Sequence, residues 1–243
     1  NVTDLIEKVK EENADLGLGF DGDCDRVGVV TSRELVFADR VLCLLAKDFL
    51  EKHPGERVLV DVKCSQAIED VVEQNNGKLV WWNTGHSLIK SKMKKDNILF
   101  AGEMSGHIFL SDEFFGFDDG LYAAGRILRL LSSSDESLDE LLNELPIYFN
   151  TPEIRLDCDE ENVDFIINEV RKFFVEKYPK SIILDGIRIM FDEGWALVRK
   201  SNTQPKIILR FEAYSQNELE RIKSEVFSKL RGFEELKDIQ GIK

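Results

Sequence analysis

Three aspartates stand at alternate positions, Asp21, Asp23 and Asp25, in the stretch Asp21-Gly22-Asp23-Cys24-Asp25-Arg26. Carboxylates set that close repel one another, which raises their pKa values and destabilises the loop unless a counter-charge sits among them. A hard divalent cation removes the conflict, because Mg2+ and Ca2+ take oxygen ligands. Gly22 permits a tight backbone path. A metal site is therefore expected here; a solvated acidic turn is the plain alternative. An EF-hand would want Gly at Arg26 and Glu at Ser32. A haloacid-dehalogenase-type phosphatase, with Asp21 as nucleophile, would want Thr or Val at Asp25.

Two further stretches carry polar groups suited to a ligand. Gly102-Glu103-Met104-Ser105-Gly106-His107 follows an apolar run, and Glu103 and Ser105 are natural partners for sugar hydroxyls. The flanking glycines would let a ligand approach the backbone. Arg199-Lys200-Ser201-Asn202-Thr203-Gln204-Pro205 offers a planar guanidinium, hydroxyls and an amide, a set that suits phosphate. A Gly-rich turn and a capped β-turn are the ordinary alternatives. Lys63 and Cys64, and Thr84-Gly85-His86, each follow an apolar run as well. Loops at the carboxyl ends of parallel strands are where open α/β sheets bind ligands. His86 and His107 at one such edge suit acid/base or ligand roles. Lys90, Lys92, Lys94 and Lys95 read mostly as a solvated basic face.

The elements that must hold these loops follow from hydrophobic period and turn residues. Thr3 is expected to cap a helix to Lys10. Strands are expected at 16–20, 27–31 and 34–37, and a helix from Asp39 to Lys52 stopped by His53-Pro54-Gly55. An alternation of strand, helix, strand, helix and strand over 57–62, 65–75, 78–82, 87–95 and 98–101 predicts parallel βαβ units. Helices at 118–131 and 137–145 precede a linker at 148–152. A strand at 153–157, a helix at 162–178, strands at 186–191, 195–199 and 206–213, and a helix at 216–230 predict a two-layer α+β domain. The fold class is thus a mixed, largely parallel α/β domain followed by an α+β domain with a four-stranded antiparallel-type sheet.

Composition narrows the function classes. The 243 residues carry 32 Lys and Arg against 46 Asp and Glu, a net charge of −14. So acidic a surface repels phosphate backbones, which argues against nucleic acid as a partner. Any phosphorylated ligand needs locally clustered cations. No apolar run approaches the roughly 20 residues that span a bilayer, and no secretory signal is visible, so no membrane partner is expected. Cys24, Cys43, Cys64 and Cys158 lie far apart with no C-x-x-C pair, which fits reduced thiols in a cytoplasmic protein. Asn1 leads straight into an amphipathic segment without an initiator Met, as in a fragment.

Together the motifs resemble the α-D-phosphohexomutase superfamily. Asp21–Arg26 is similar to its D-G-D-x-D-R metal loop, Gly102–His107 to its sugar-recognition loop and Arg199–Pro205 to its phosphate-binding loop. The stretches DVKCS (61–65) and TGHSLIK (84–90) look like the bacterial phosphomannomutase/phosphoglucomutase branch. Met104 and Asn202 stand where phosphoglucosamine mutases usually have Gln and Gly. The resemblance implies residues 1–38 as the tail of a second domain, 39–150 as a third and 151–243 as a fourth. It implies Mg2+ on Asp21, Asp23 and Asp25, with Arg26 beside the transferring phosphoryl and Lys63 and His86 as acid/base candidates. Glu103 and Ser105 would hold sugar hydroxyls with His107 close by, and Arg199, Ser201, Asn202 and Thr203 the non-reacting phosphate. The implied reaction interconverts hexose 1- and 6-phosphates of glucose or mannose through a phosphoserine and a 1,6-bisphosphate. The family's phosphoserine loop, of T-A-S-H-N-P type, has no counterpart here, and Cys24 replaces a more usual Gly. The missing N-terminal domains are thus an expected partner, and the chain alone is expected to be inactive; a non-catalytic sugar-phosphate-binding module is the alternative.

Overall fold

A computed structural model describes residues 2–201 and 203–236. The chain divides into two compact units at Pro146/Ile147. In the first, helix α1 (Thr3–Glu12) precedes strands β1 (Gly17–Phe20), β2 (Val27–Val30) and β3 (Leu35–Val36), which form an antiparallel sheet in the order β1-β2-β3. Thr3 is the first helical residue and makes no cap; Val2 holds the cap position without a side-chain bond.

Helix α2 (Ala38–Lys52) leads into β4 (Arg57–Asp61), α3 (Ala67–Gln74), β5 (Lys78–Trp82), α4 (His86–Asp96), β6 (Phe100–Gly102) and β7 (Ile108–Leu110). These four strands form a sheet in the order β5-β4-β6-β7; β4 runs parallel to β5 and β6, and β7 returns antiparallel to β6. Val58, Leu59 and Val60 on the central β4 are fully buried, as a strand covered on both faces requires. Phe49 of α2 stacks on Phe100 of β6 with ring centroids 5.5 Å apart. Helices α5 (Gly120–Ser132) and α6 (Leu138–Asn143) complete the unit. A capping box joins Ser137 and Glu140 at the start of α6, satisfying two helix-end donors.

The second unit contains β8 (Phe149–Asn150), β9 (Ile154–Asp157), α7 (Glu160–Lys177), β10 (Ile187–Phe191), β11 (Gly194–Lys200), β12 (Lys206–Ala213) and α8 (Gln216–Leu230). Its antiparallel sheet runs β10-β11-β12-β8, with β9 also pairing β12. Alternate residues such as Ile187, Ile189, Val198, Leu209 and Phe211 pack with Val170 and Phe174 of α7 and Ile222 and Val226 of α8. On the other side of the sheet the buried Trp195 lies under the Arg188 guanidinium, 3.8 Å from ring to Cζ, and donates from Nε1 to Glu212 at 2.9 Å.

Two strands differ from expectation. β7 is three residues long and wholly buried, so it shows no alternation for a period-based reading to detect. β8 is two residues long and lies in the expected linker, adding a short fifth strand by pairing with Glu212 and Ala213.

Candidate functional site

The acidic loop is the connection between β1 and β2. Phe20 pairs with Val27, so Asp21–Arg26 leaves and re-enters the sheet at neighbouring points. Asp21, Asp23 and Asp25 each offer an oxygen, and the three oxygens lie within 4.8 Å of one another. Arg26 closes the turn on itself: its Nε donates to Asp21 Oδ2 and its backbone N–H to Asp21 Oδ1 at 3.3 Å. Burial works to push the Asp21 carboxyl up, but Arg26 outweighs it and holds the group below the usual carboxylate range. Asp25 Oδ1 is buried and accepts no hydrogen bond from the described residues, with Arg26 Nε as a looser ionic neighbour at 3.6 Å. Three carboxylates with an orphaned oxygen fit a hard divalent cation such as Mg2+. Cys24 sits at φ 60°, in the left-handed region that costs an L residue roughly 1–2 kcal/mol.

The parallel strands bring the second set together. Asp61, the last residue of β4, is fully buried and gathers three loops. It accepts from the Met104 backbone N–H at 3.2 Å, the Thr84 hydroxyl at 3.2 Å and the Cys64 thiol at 3.1 Å. Lys63 Nζ lies 3.5 Å from Asp61 Oδ2. This carboxylate therefore ties the ends of β4, β5 and β6 at one edge.

Glu103, 2% exposed, is gripped by that edge. Its Oε1 accepts from the Gly85 N–H at 2.7 Å, and its Oε2 is 2.9 Å from His107 Nδ1. The other ring nitrogen, Nε2, is 3.2 Å from Asp25 Oδ2. Ser105 Oγ lies 3.1 Å from His107 Nδ1. Burial would push Glu103 up and His107 down; their mutual hydrogen bond reverses both, leaving the carboxyl low and the imidazole high. The glycines of this loop serve the fold. A Cβ on Gly102 would lie 2.1 Å from Leu42 of α2, and Gly106 turns the chain at φ 97°, so Gly102 opens toward the core and not toward a ligand.

His86 is the first residue of α4. Its Nδ1 is 2.8 Å from Asp118 Oδ2, and Lys90, one turn on, donates to Asp118 Oδ1 at 2.7 Å. The His86 and His107 rings stack with centroids 5.3 Å apart. Asp25, His86, His107 and Asp118 also offer ligand atoms within 4.8 Å of one another. Their mixed nitrogen and oxygen donors are already paired as carboxylate–imidazole couples. The all-oxygen trio suits the harder ion better.

In the second unit Arg199, at the end of β11, is 5% exposed. Its Nε donates to Asp185 Oδ2 at 2.7 Å, which fixes the plane of the guanidinium. The loop after it is closed by Ser201 N–H donating to the Lys206 carbonyl at 2.9 Å, and Thr203 N–H donates to Ser201 Oγ at 3.3 Å. Ser201, Thr203 and Gln204 line a surface cavity of about 670 Å3 together with Lys200 and, from α7, Glu160 and Asp164. Asn202 lies outside the described residues.

Sequence reasoning missed Asp61, Asp118 and Asp185. Asp118 read as a helix start and Lys90 as a solvated lysine. The available signal was the pair Asp118-Asp119 before Gly120, a run of acids that a single helix cap does not require.

Residues 37–148 match the alpha/beta/alpha domain III of phosphoglucomutase/phosphomannomutase, and residues 153–229 match the C-terminal domain of the same family. A phosphomannomutase/phosphoglucomutase of Pseudomonas putida is 47% identical over 92% of this chain and 48% of its own length. A phosphoglucomutase of Neisseria meningitidis is 45% identical over 93% of this chain and 49% of its own. The crystal structure of a Burkholderia thailandensis phosphoglucomutase/phosphomannomutase family protein superposes with a TM-score of 0.88 at 39% identity, covering 96% of this chain and 50% of that one. The chain spans about half the length of the curated relatives it matches. With both domain matches falling on the folded units and the relatives covering nearly all of its length, this chain belongs to the phosphoglucomutase/phosphomannomutase family.

Proposed function

We propose that this chain supplies the metal loop, sugar loop and phosphate loop of a phosphomannomutase/phosphoglucomutase, an isomerase that interconverts hexose 1- and 6-phosphates. One observation carries the reading: His107 of the Glu103–His107 loop contacts Asp25 at 3.2 Å, so sugar-recognition and metal-binding candidates share one edge. In this reading residues 1–38, 39–150 and 151–243 are the end of domain 2, domain 3 and domain 4. A phosphoserine from outside these residues donates its phosphoryl to a glucose or mannose monophosphate. The sugar 1,6-bisphosphate then reorients and returns its other phosphate to the serine. In this reading the reaction takes place in the cytoplasm. No helix among the described residues is long and apolar enough to cross a membrane.

Asp21, Asp23 and Asp25 would hold Mg2+, which when bound neutralises charge on the transferring phosphoryl. Arg26, pinned against Asp21, would lie beside that group. His86 and Lys63 would move the proton of the attacking hydroxyl. Glu103 and Ser105 would accept and donate to sugar hydroxyls, Glu103 through lone pairs that Gly85 and His107 leave over. Arg199, Ser201, Asn202 and Thr203 would hold the distal phosphate. Hydroxyl recognition by Glu103 and Ser105 accommodates both sugars, and relatives carry both names. An Asp21-nucleophile phosphatase is disfavoured, because Asp25 stands where that family has Thr or Val.

A coupled assay on mannose 1-phosphate and glucose 1-phosphate tests the reading. The chain alone should show no turnover, and mixing it with a serine-bearing N-terminal half of a relative should restore it. Phosphate-ester hydrolysis by the chain alone, lost in Asp21→Asn, would overturn it.

A further inference from the structure

We propose that Asp118, on the Asp118-Asp119-Gly120 turn, is a positioning residue that fixes the ring orientation and tautomer of His86 and registers it against the metal loop. The inference rests on the acid/base role proposed above for His86, and on five contacts from one short turn.

The Asp118 side chain is 7% exposed, and its two oxygens are divided between two residues on one face of α4. Oδ2 meets His86 Nδ1 and Oδ1 meets Lys90 Nζ. A carboxylate only accepts, so the 2.8 Å contact with Asp118 puts the His86 proton on Nδ1, against the competing Lys90 ammonium that lies 3.5 Å from the same nitrogen. That leaves Nε2 as the acceptor in the neutral ring, or as the donor once the ring is charged. The nitrogen that carries the proton is set by the bond its partner makes. Lys90 balances the charge of Asp118 and holds the carboxylate plane in place. Without it the buried anion would face His86 alone.

The same turn is fastened on its other sides. The backbone of Asp118 bridges to Phe109 of β7. Asp119 caps α5 by accepting from the Tyr122 N–H at 2.9 Å. The Gly120 N–H donates to the Cys24 carbonyl at 2.9 Å. A Cβ on Gly120 would lie 2.8 Å from the carbonyl oxygens of both Cys24 and Arg26. Only glycine allows that approach without shifting backbone. Three consecutive residues thus hold the helix carrying His86, the return strand of the sugar loop and the aspartate loop in one register. A displacement of about 1 Å between reacting groups costs roughly a hundredfold in rate, so a shared anchor has mechanistic value.

The test is the tautomer of His86, read from long-range proton–nitrogen NMR of the 15N-histidine-labelled 243-residue chain at a pH above imidazole titration. The expected result is one Nδ1–H tautomer in the parent chain. It is lost to a mixture in Asp118→Ala and retained in Asp118→Asn, whose amide oxygen still accepts. Unchanged His53 signals, from the end of α2, control for folding. An Nε2–H tautomer in the parent chain would overturn the proposal, as would an Asp118→Ala chain with His86 unchanged. Should Asp118→Ala fail to fold, the parent tautomer and Asp118→Asn decide alone. In the assay reconstituted with the N-terminal half, kcat should fall roughly 10–100-fold in Asp118→Ala with KM unchanged, on the order of the loss seen when the outer partner of a metal-bound histidine is removed. The tautomer is measured without turnover, so absent mutase activity beside an Asp118-dependent tautomer would refute the function and leave the positioning intact.

Discussion

The imidazole of His107 lies between two carboxylates, with Nδ1 2.9 Å from Glu103 Oε2 and Nε2 3.2 Å from Asp25 Oδ2. A neutral ring has one donor and can satisfy one of them; the imidazolium satisfies both. That is why His107 is held high and Glu103 low despite burial acting the other way.

A pH dependence follows. His107 has a raised folded pKa, so its stabilisation is complete below the unfolded value near 6.5 and is lost as pH rises through the folded value. Glu103 has a depressed one, so its contribution is present above about 4.3 and is lost as pH falls through the folded value. Urea unfolding of the metal-free chain should therefore show greatest stability between these limits. His107→Gln should flatten the alkaline side. An alkaline loss of the same size in His107→Gln would show that another group causes it.

The metal loop makes a paired prediction. Asp23→Asn should weaken Mg2+ binding at least tenfold, about 1.4 kcal/mol, by calorimetry. In chelator it should leave stability equal or slightly higher, within about 0.5 kcal/mol, because a repelling charge is gone. Weaker metal-free stability would mean the carboxylate has a structural role instead.

Arg126 of α5 donates to both oxygens of Asp112 at 2.9 and 3.0 Å, with the two side chains 3% and 1% exposed. Burial pushes Asp112 up, but the guanidinium outweighs it and keeps the carboxyl low. Removing Asp112 leaves the buried Arg126 the longer carboxylate contacts to Asp48 at 3.6 Å and Glu113 at 3.7 Å. Asp112→Ala should cost about 3 kcal/mol, the lower end for breaking a buried pair, measured by denaturant unfolding. A loss under about 1 kcal/mol would show that Asp48 and Glu113 take over the charge.

Cys24 occupies a left-handed conformation, φ 60°, that glycine adopts freely. Cys24→Gly should raise stability by up to about 1 kcal/mol, the strain relieved less the extra entropy of an unfolded glycine. A fall in the melting temperature would show that the thiol's contact with the Asp21 carbonyl at 3.7 Å outweighs the strain.

Residue type and spacing made much of this legible. The aspartate trio, Glu103 with His107, and the βαβ alternation are local patterns, and local patterns survive in one dimension. Asp61, Asp118 and Asp185 did not stand out, because each acts through partners distant in sequence: Met104 and Thr84, His86 and Lys90, Arg199. A lone acid after a strand or before a helix reads as a cap or a solvated turn. The short strands β7 and β8 were missed for another reason: β7 is wholly buried and shows no alternation, and β8 is two exposed residues inside a stretch that reads as a linker.

The antiparallel return of β7 on β6 has a further consequence. Gly102 pairs with Ile108, and the Glu103 N–H donates to the His107 carbonyl at 2.9 Å, so both stems of the intervening turn are clamped. Its length is then as constrained as its chemistry. In the proposed reading, sugar preference along this edge changes through single replacements at Met104 and Ser105, since an inserted residue would rotate His107 away from both of its acidic neighbours.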